Sequence, residues 1–290
     1  MSNILEETNF ILKKYKIKAN KSLGQNFLIS QEVVDKIVES SNISKEDLVI
    51  EIGPGLGTLT KELLEKAGKV IAIELDDKML QILNDRFALY DNFELINNDV
   101  LKVDLGKIIE KEKKENNLKK AKVVANLPYY ITTPIIMKLL EEKLDLESIT
   151  VMIQKEVADR LAEIPGGKNT GAITYTVYFY AETEKILEVP NNSFIPEPEV
   201  TSEVIKLNIR KEEPVKVDDK ELFFKIIKSA FMQRRKTLLN GLTNAKVFKN
   251  KEEGIKVLKE LGISENIRAE KLTLEQFAQL SDLLIKDSEN

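Results

Sequence analysis

From about residue 47 the period of the hydrophobic positions changes repeatedly. LVIEIG (48–53) is a short, β-branched apolar run ending at glycine, the pattern of a buried strand. TLTKELLEKA (58–67) sets Leu59, Leu63 and Leu64 on one helical face and stops before Gly68. The alternation continues with a strand at KVIAIEL (69–75) and a helix at DDKMLQILNDRF (76–87), where Asp76 is placed as N-cap. NFELINND (92–99) reads as a strand and a lysine-rich helix follows around 106–117. AKVVANL (121–127) reads as a strand, TPIIMKLLEEKL (133–144) as a helix with Pro134 in its first turn, and SITVMIQK (148–155) as a strand. Strands alternating with helices of this length require right-handed crossovers and a parallel sheet covered on both faces, an α/β fold. Strand-rich segments near 184–190 and 200–209 would complete the sheet. KEEPVKVDDK (211–220) reads as a linker and 220–287 as helical throughout. The expected division is therefore 1–212, a ligand-binding α/β domain with a basic N-terminal segment, and 213–290, a small helical domain.

Composition narrows the chemistry. The 290 residues include no cysteine, histidine or tryptophan. Disulfides, thiolate nucleophiles, Cys/His zinc sites and imidazole bases are excluded, and no metal site is expected. Neither a signal-peptide core nor a membrane-length apolar run is present, so a cytoplasmic protein is expected. The net charge of −4 hides segregated cations. Lys13, Lys14, Lys16, Lys18 and Lys21 form one acid-free run, and Lys225, Lys228, Arg234, Arg235, Lys236, Lys246 and Lys249 another. Such runs are either solvated helix faces or a phosphate footprint.

The first crossover carries GPGLG, with Gly53, Gly55 and Gly57 between a strand and a helix, where glycine permits a tight turn and close ligand approach. Glu74 ends the next strand, twenty-one residues after Gly53, a spacing suited to binding ribose hydroxyls. Asp99 ends the third strand. All lie at the carboxyl edge of the expected sheet, where such folds bind ligands. A dinucleotide and S-adenosylmethionine (AdoMet) compete as ligand; AdoMet has no phosphate and needs an acceptor for its adenine amine, which Asp99 supplies. The fourth strand ends in Asn126, Leu127, Pro128 and Tyr129. An amide oxygen and a backbone carbonyl can accept both hydrogens of an exocyclic amine, and an adjacent aromatic can stack on its base. Two such acceptors favour the pyramidal nitrogen of a transition state for adenine methylation. Phe194, in SFIPEP (193–198), is either the second side of a base sandwich or a core residue.

In order along residues 20–245, KSLGQNFL (21–28), EIGPGLGTLT (51–60), NNDVL (97–101), ANLPYYITTPI (125–135), SFIPEPEV (193–200) and QRRKTLLNGL (233–242) resemble the bacterial KsgA/RsmA-type 16S rRNA adenine dimethyltransferases. The resemblance implies a Rossmann-like class I AdoMet-dependent methyltransferase domain followed by a small all-helical C-terminal domain. It implies dimethylation of two adjacent adenosines in the 3′-terminal stem-loop of 16S rRNA, within the 30S subunit or its precursor, and a role in small-subunit biogenesis. It implies that Asn26, Leu28, Gly53, Gly55, Glu74, Asp99 and Asn126 hold AdoMet. Asn126 with the Leu127 or Pro128 carbonyl would orient the target amine, and Tyr129 and Phe194 would sandwich its ring. Lys21, Arg234, Arg235 and Lys236 are expected to contact rRNA, with the QRRK cations turned outward from a helix. Where family members often carry aspartate-serine, this chain has Thr201-Ser202, a departure expected to lie outside the pocket.

Relatives that methylate 23S rRNA share the NLPY-type and glycine motifs but do not usually carry LGQNFL. DNA or protein-glutamine amino-methyltransferases favour a proline-proline motif, where this chain has Leu127. A ribosome-assembly factor acting mainly by binding is compatible with the first reading. A monomer is expected.

Overall fold

The computed structural model describes residues 4–20, 23–233 and 235–289, the side chains of 286–289 excepted. The chain begins with α1 (Ile4–Lys14), the two-residue strand β1 (Phe27–Leu28) and α2 (Gln31–Ser40). Strands and helices then alternate as their periods predict: β2 (Asp47–Ile52), α3 (Thr58–Lys66), β3 (Lys69–Glu74), α4 (Asp77–Phe87), β4 (Phe93–Asn97), α5 (Leu105–Glu115), β5 (Lys120–Asn126), α6 (Thr132–Glu141) and β6 (Ser148–Gln154). Next come α7 (Lys155–Leu161), α8 (Ala172–Tyr180), β7 (Ala181–Val189), β8 (Phe194–Ile195) and β9 (Ser202–Ile209).

Seven of these strands form one sheet in the order β4-β3-β2-β5-β6-β9-β7. β4 through β6 run parallel, and β9 is antiparallel to β6. Helices cover both faces, so Leu48, Val49 and Ile50 on consecutive positions of β2 are all fully buried. That double burial is why the strand reads as a continuous apolar run. β2 pairs β3 on one side and β5 on the other, which makes its carboxyl end the topological switch point of the sheet. At the opposite edge the buried Lys122 ammonium lies 3.0 Å from Asp47 and 3.2 Å from Glu147, a paired and structural cluster. The small ribbon β1–β8 aligns Leu28 with Phe194 and ties the N-terminal segment to the SFIPEP loop.

The chain divides into two compact units, 1–158 with 182–209, and 159–181 with 210–290. The sequence places 159–181 in the first domain; in the structure this segment belongs with the helical one. The reason lies in α8, whose Tyr175 and Phe179 are fully buried aromatics of the helical core. They pack instead on α9 (Lys220–Phe231) and α12 (Leu274–Glu289), with Tyr175 5.0 Å from Phe277 and Phe179 5.6 Å from Phe223 between ring centroids. α10 (Leu238–Asn244) and α11 (Lys251–Glu260) complete this unit. Among the described residues no helix is long and apolar enough to cross a membrane.

Candidate active site

A pocket opens at the switch point, between the carboxyl ends of β2, β3 and β5 and the segment Leu23–Leu28. Its floor is the GPGLG loop. Gly53, Gly55 and Gly57 all have positive φ. At Gly57 glycine is required twice over, since φ is +80° and an added Cβ would lie 2.5 Å from the Phe87 ring. The Gly55 N–H points at the next strand and donates to Glu74 Oε2 at 3.2 Å.

Among the described residues Glu74 is held by backbone N–H groups alone. Its Oε1 accepts from Leu75 N and Asp76 N, each at 2.8 Å. Burial raises its pKa, and the Asp76, Gly55 and Leu75 N–H groups oppose that rise. Asp99 is more open. One of its oxygens accepts from Leu101 N at 3.0 Å and caps the 3-10 turn Val100–Lys102, while Lys102 Nζ stands 3.8 Å away. Asn126 ends β5, and its amide nitrogen donates to the Asn26 carbonyl at 3.3 Å. Both lone pairs of the Pro128 carbonyl are engaged, by Ile131 N at 3.2 Å and Thr132 Oγ1 at 3.0 Å.

The pocket brings together Asn26, Leu28, Gly53, Gly55, Glu74, Asp99 and Asn126, and with them Leu127, Pro128 and Tyr129. It does not include Phe194, which is 1% exposed and belongs to the same hydrophobic core as Leu28 and Val189. Pairing of β8 with β1 turns that side chain inward, so of its two sequence readings the core reading holds. Thr201 and Ser202 lie outside the pocket lining, as expected, and the Ser202 hydroxyl is 2.6 Å from that of Tyr129, a pocket residue. In the helical unit, Arg235 and Lys236 are exposed, but they sit in the turn between α9 and α10 and not on a helix. The helix stops at Phe231 and restarts after Thr237, whose hydroxyl caps α10. Lys21 and Arg234 lie outside the described residues.

Two pocket residues escape the sequence reading. Gln25 donates to Asp76 at 2.8 Å and accepts from Asn20 N at 2.8 Å, fastening the N-terminal segment to the turn behind Glu74. Glu51 is a carboxyl next to the carboxyl end of β2, a strand buried at every position. The signal for it was a single charge interrupting LVIEIG.

A family model described as ribosomal RNA adenine dimethylase matches residues 16–286. The chain belongs to the ribosomal RNA adenine dimethylase family. The dimethylase is 48% identical to ribosomal RNA small subunit methyltransferase A of Lachnoclostridium phytofermentans over 281 residues, covering 96% of each chain. The same-named protein of Bacillus pumilus is also 48% identical, with 96% of each chain covered. Among solved structures, a dimethyladenosine transferase from Plasmodium falciparum aligns with TM-score 0.71 and 27% identity over 91% of this chain and 98% of that one. The 23S rRNA methyltransferase ErmE shares the fold, with TM-score 0.66 and 23% identity over 90% of this chain and all of the other.

The dimethylase uses AdoMet as methyl donor and methylates adenine in ribosomal RNA. The pocket fits this donor better than a dinucleotide. Among the described residues its lining carries three carboxyls, Glu51, Glu74 and Asp99, and no lysine or arginine. A pyrophosphate would meet repulsion there, whereas the sulfonium and ammonium of AdoMet outweigh its one carboxylate.

Proposed function

We propose that this dimethylase modifies two adjacent adenosines in the 3′-terminal stem-loop of small-subunit rRNA, acting as a monomer in the cytoplasm on the 30S subunit or its precursor. The observation that carries the reading is the meeting, in one pocket, of an acidic cradle for a cationic donor with the Asn126-Leu127-Pro128-Tyr129 turn. The relatives' naming as small-subunit enzymes supports the choice of rRNA.

In this reading AdoMet supplies an electrophilic methyl group at its sulfonium. Glu74 accepts from the ribose hydroxyls with lone pairs not used by the three backbone N–H groups. Asp99 accepts from the cofactor adenine amine. Asn126 is fixed by its bond to the Asn26 carbonyl, which leaves Oδ1 as the acceptor facing the target. Since the Pro128 carbonyl is saturated, the Leu127 carbonyl is the second acceptor. The two acceptors hold the target N6 hydrogens so that its lone pair leaves conjugation with the ring and turns toward the methyl group. That geometry belongs to the transition state, so the stabilisation is catalytic. Tyr129 offers a ring face to the extruded adenine, replacing stacking lost from the stem-loop. Lys21, Arg234, Arg235 and Lys236 supply phosphate contacts.

Methyl transfer from labelled AdoMet to undermethylated 30S subunits, 50S subunits and naked DNA tests the proposal. Label confined to two adjacent adenines near the 3′ end of 16S rRNA is expected. Label on 50S subunits or DNA alone would overturn it.

A further inference from the structure

Of the large apolar side chains exposed among the described residues, two line the pocket, Leu75 at 50% and Tyr130 at 55%. Leu75 directly follows Glu74, where a bound cofactor nucleoside covers it. Tyr130 directly follows the turn that faces the target base, and its hydroxyl has no hydrogen-bond partner among the described residues. Its neighbour is held differently. Tyr129 is half-buried, and its hydroxyl is 2.6 Å from that of Ser202 at the start of β9. Tyr129–Ile131 is a 3-10 turn, closed by Ile131 N donating to the Pro128 carbonyl at 3.2 Å. Successive side chains on such a turn diverge by about 120°. Tyr129 is directed to β9, and Tyr130 to the N-terminal segment, where one side of its ring meets Gly24. A Cβ on Gly24 would lie 3.4 Å from Tyr130 Cδ1 and 3.8 Å from Cε1, and the φ of Gly24 is +61°. Glycine there both permits the turn and leaves room for the ring. Rings that diverge from one turn do not face each other across a single base. Tyr130 is therefore not the second side of the sandwich that Phe194 fails to supply.

We propose, on the reading that an rRNA adenine is extruded into this pocket, that Tyr130 is a stacking platform at the pocket rim for the nucleotide next to the target adenosine. Extrusion breaks the stack on both sides of the base that leaves, so the adjoining base loses a partner at that moment. An exposed aromatic ring at the rim meets the face left bare, as aromatic side chains do for splayed bases in single-stranded RNA. Tyrosine suits the position because its ring stacks while its hydroxyl stays in water. One pocket holds the strand in one direction. Tyr130 therefore takes the neighbour from a single side, 5′ or 3′, whichever adenosine is being modified. Where two adjacent adenosines are the targets, that neighbour is the other target in one of the two rounds and a flanking nucleotide in the other. Tyr130 thus extends recognition one nucleotide beyond the base that Tyr129 meets.

Single-turnover methylation of undermethylated 30S subunits by the full-length protein, with AdoMet saturating and 30S subunits below saturation, provides the test. Tyr130→Ala is expected to slow the reaction about five- to a hundredfold, the effect of losing one base–aromatic stack. Calorimetric AdoMet affinity is expected to be unchanged. Tyr130→Phe is expected to restore the rate and Tyr130→Leu is not, which separates a stacking ring from apolar packing against Gly24. A second arm uses 30S subunits whose 16S rRNA carries an abasic nucleotide on one side or the other of a target adenosine. Wild type is expected to lose rate with the abasic nucleotide on one of the two sides. Tyr130→Ala is expected to lose nothing further from that change, because both alterations remove the same contact. A wild-type rate in Tyr130→Ala, full rescue by Tyr130→Leu, or abasic losses that multiply with Tyr130→Ala would overturn the proposal. A parallel fall in AdoMet affinity would also overturn it, by assigning Tyr130 to the cofactor. A wild-type protein that leaves 30S subunits unlabelled would instead signal failure of the rRNA reading itself.

Discussion

The phenolic oxygen of Tyr129 lies 2.6 Å from the hydroxyl of Ser202, two residues separated by 73 positions in the chain. Tyr129 leaves the end of β5 and Ser202 begins β9, so two strands flanking β6 jointly fix one aromatic ring. If Tyr129 stacks on the target base as proposed, a ring pinned at its hydroxyl keeps its face oriented for it. Ser202→Ala removes one hydrogen bond worth about 0.5–1.5 kcal/mol, so single-turnover methylation should slow roughly two- to tenfold. AdoMet affinity should be unchanged in equilibrium binding, because Ser202 does not line the pocket.

Asn126→Ala should act on the chemical step. Loss of a preorganised polar group at the reacting centre costs about 10²–10³ in rate in comparable sites. Pre-steady-state rates should fall by that order, while 30S affinity measured by filter binding changes little.

Asp99 has two duties, capping a 3-10 turn and facing the pocket. Asp99→Ala should therefore lose AdoMet affinity by about 1.5–3 kcal/mol, and some stability through the lost cap, about 0.5–2 kcal/mol. Asp99→Asn can still cap. Its melting temperature should return toward wild type while calorimetric AdoMet affinity stays low.

The unliganded protein should lose stability as pH rises. The Glu51 pKa is lifted from 4.5 to about 8, so between those values the native state binds more protons than the unfolded chain. Stability then falls with rising pH, by at most about 1.4 kcal/mol per unit from this group. Glu51→Gln should flatten the decline in melting temperature between pH 5 and 8. A decline as steep as that of wild type would remove Glu51 as its cause.

Arg235→Glu combined with Lys236→Glu should weaken 30S binding and flatten the log-affinity against log-salt slope by about 1–2 units. Both side chains are exposed, and neither lines the cofactor pocket, so AdoMet affinity should not move.

The sheet was legible because burial on both faces leaves β2, β3, β5 and β6 as largely apolar runs between amphipathic helices. Their ends came within a few residues, since Gly53 and Gly68 mark the boundaries chemically. Glu74, Asp99 and Asn126 were legible because topology alone carries the ends of parallel strands to one edge. The burial of Phe194 and the contact of Ser202 with Tyr129 were not, because both depend on tertiary partners: β1 pairs with the strand that carries Phe194, and Ser202 meets a ring 73 positions away. Glu51 was hidden for the opposite reason. A charge in a strand signals something unusual, but only three-dimensional packing reveals that no cation meets it. The QRRK turn looked helical because cations beside an apolar run fit a helix face, whereas Thr237 ends that run by starting a new helix.

The excursion of residues 159–181 into the helical unit has a consequence for how the chain is made. During synthesis α8 leaves the ribosome long before α9 and α12, so Tyr175 and Phe179 wait uncovered until the last segment arrives. The α/β unit is likewise incomplete until β9 has emerged and paired with β6. The α/β unit is thus complete in the emerging chain while the helical unit, begun earlier with α8, still waits for α9 to α12. A stop codon at the 211–220 linker would release a chain that holds the whole α/β unit but leaves the aromatic face of α8 uncovered, open to aggregation or proteolysis. Dissecting the enzyme would require excising 159–181 and bridging Ala158 to Glu182 as well as truncating after Ile209.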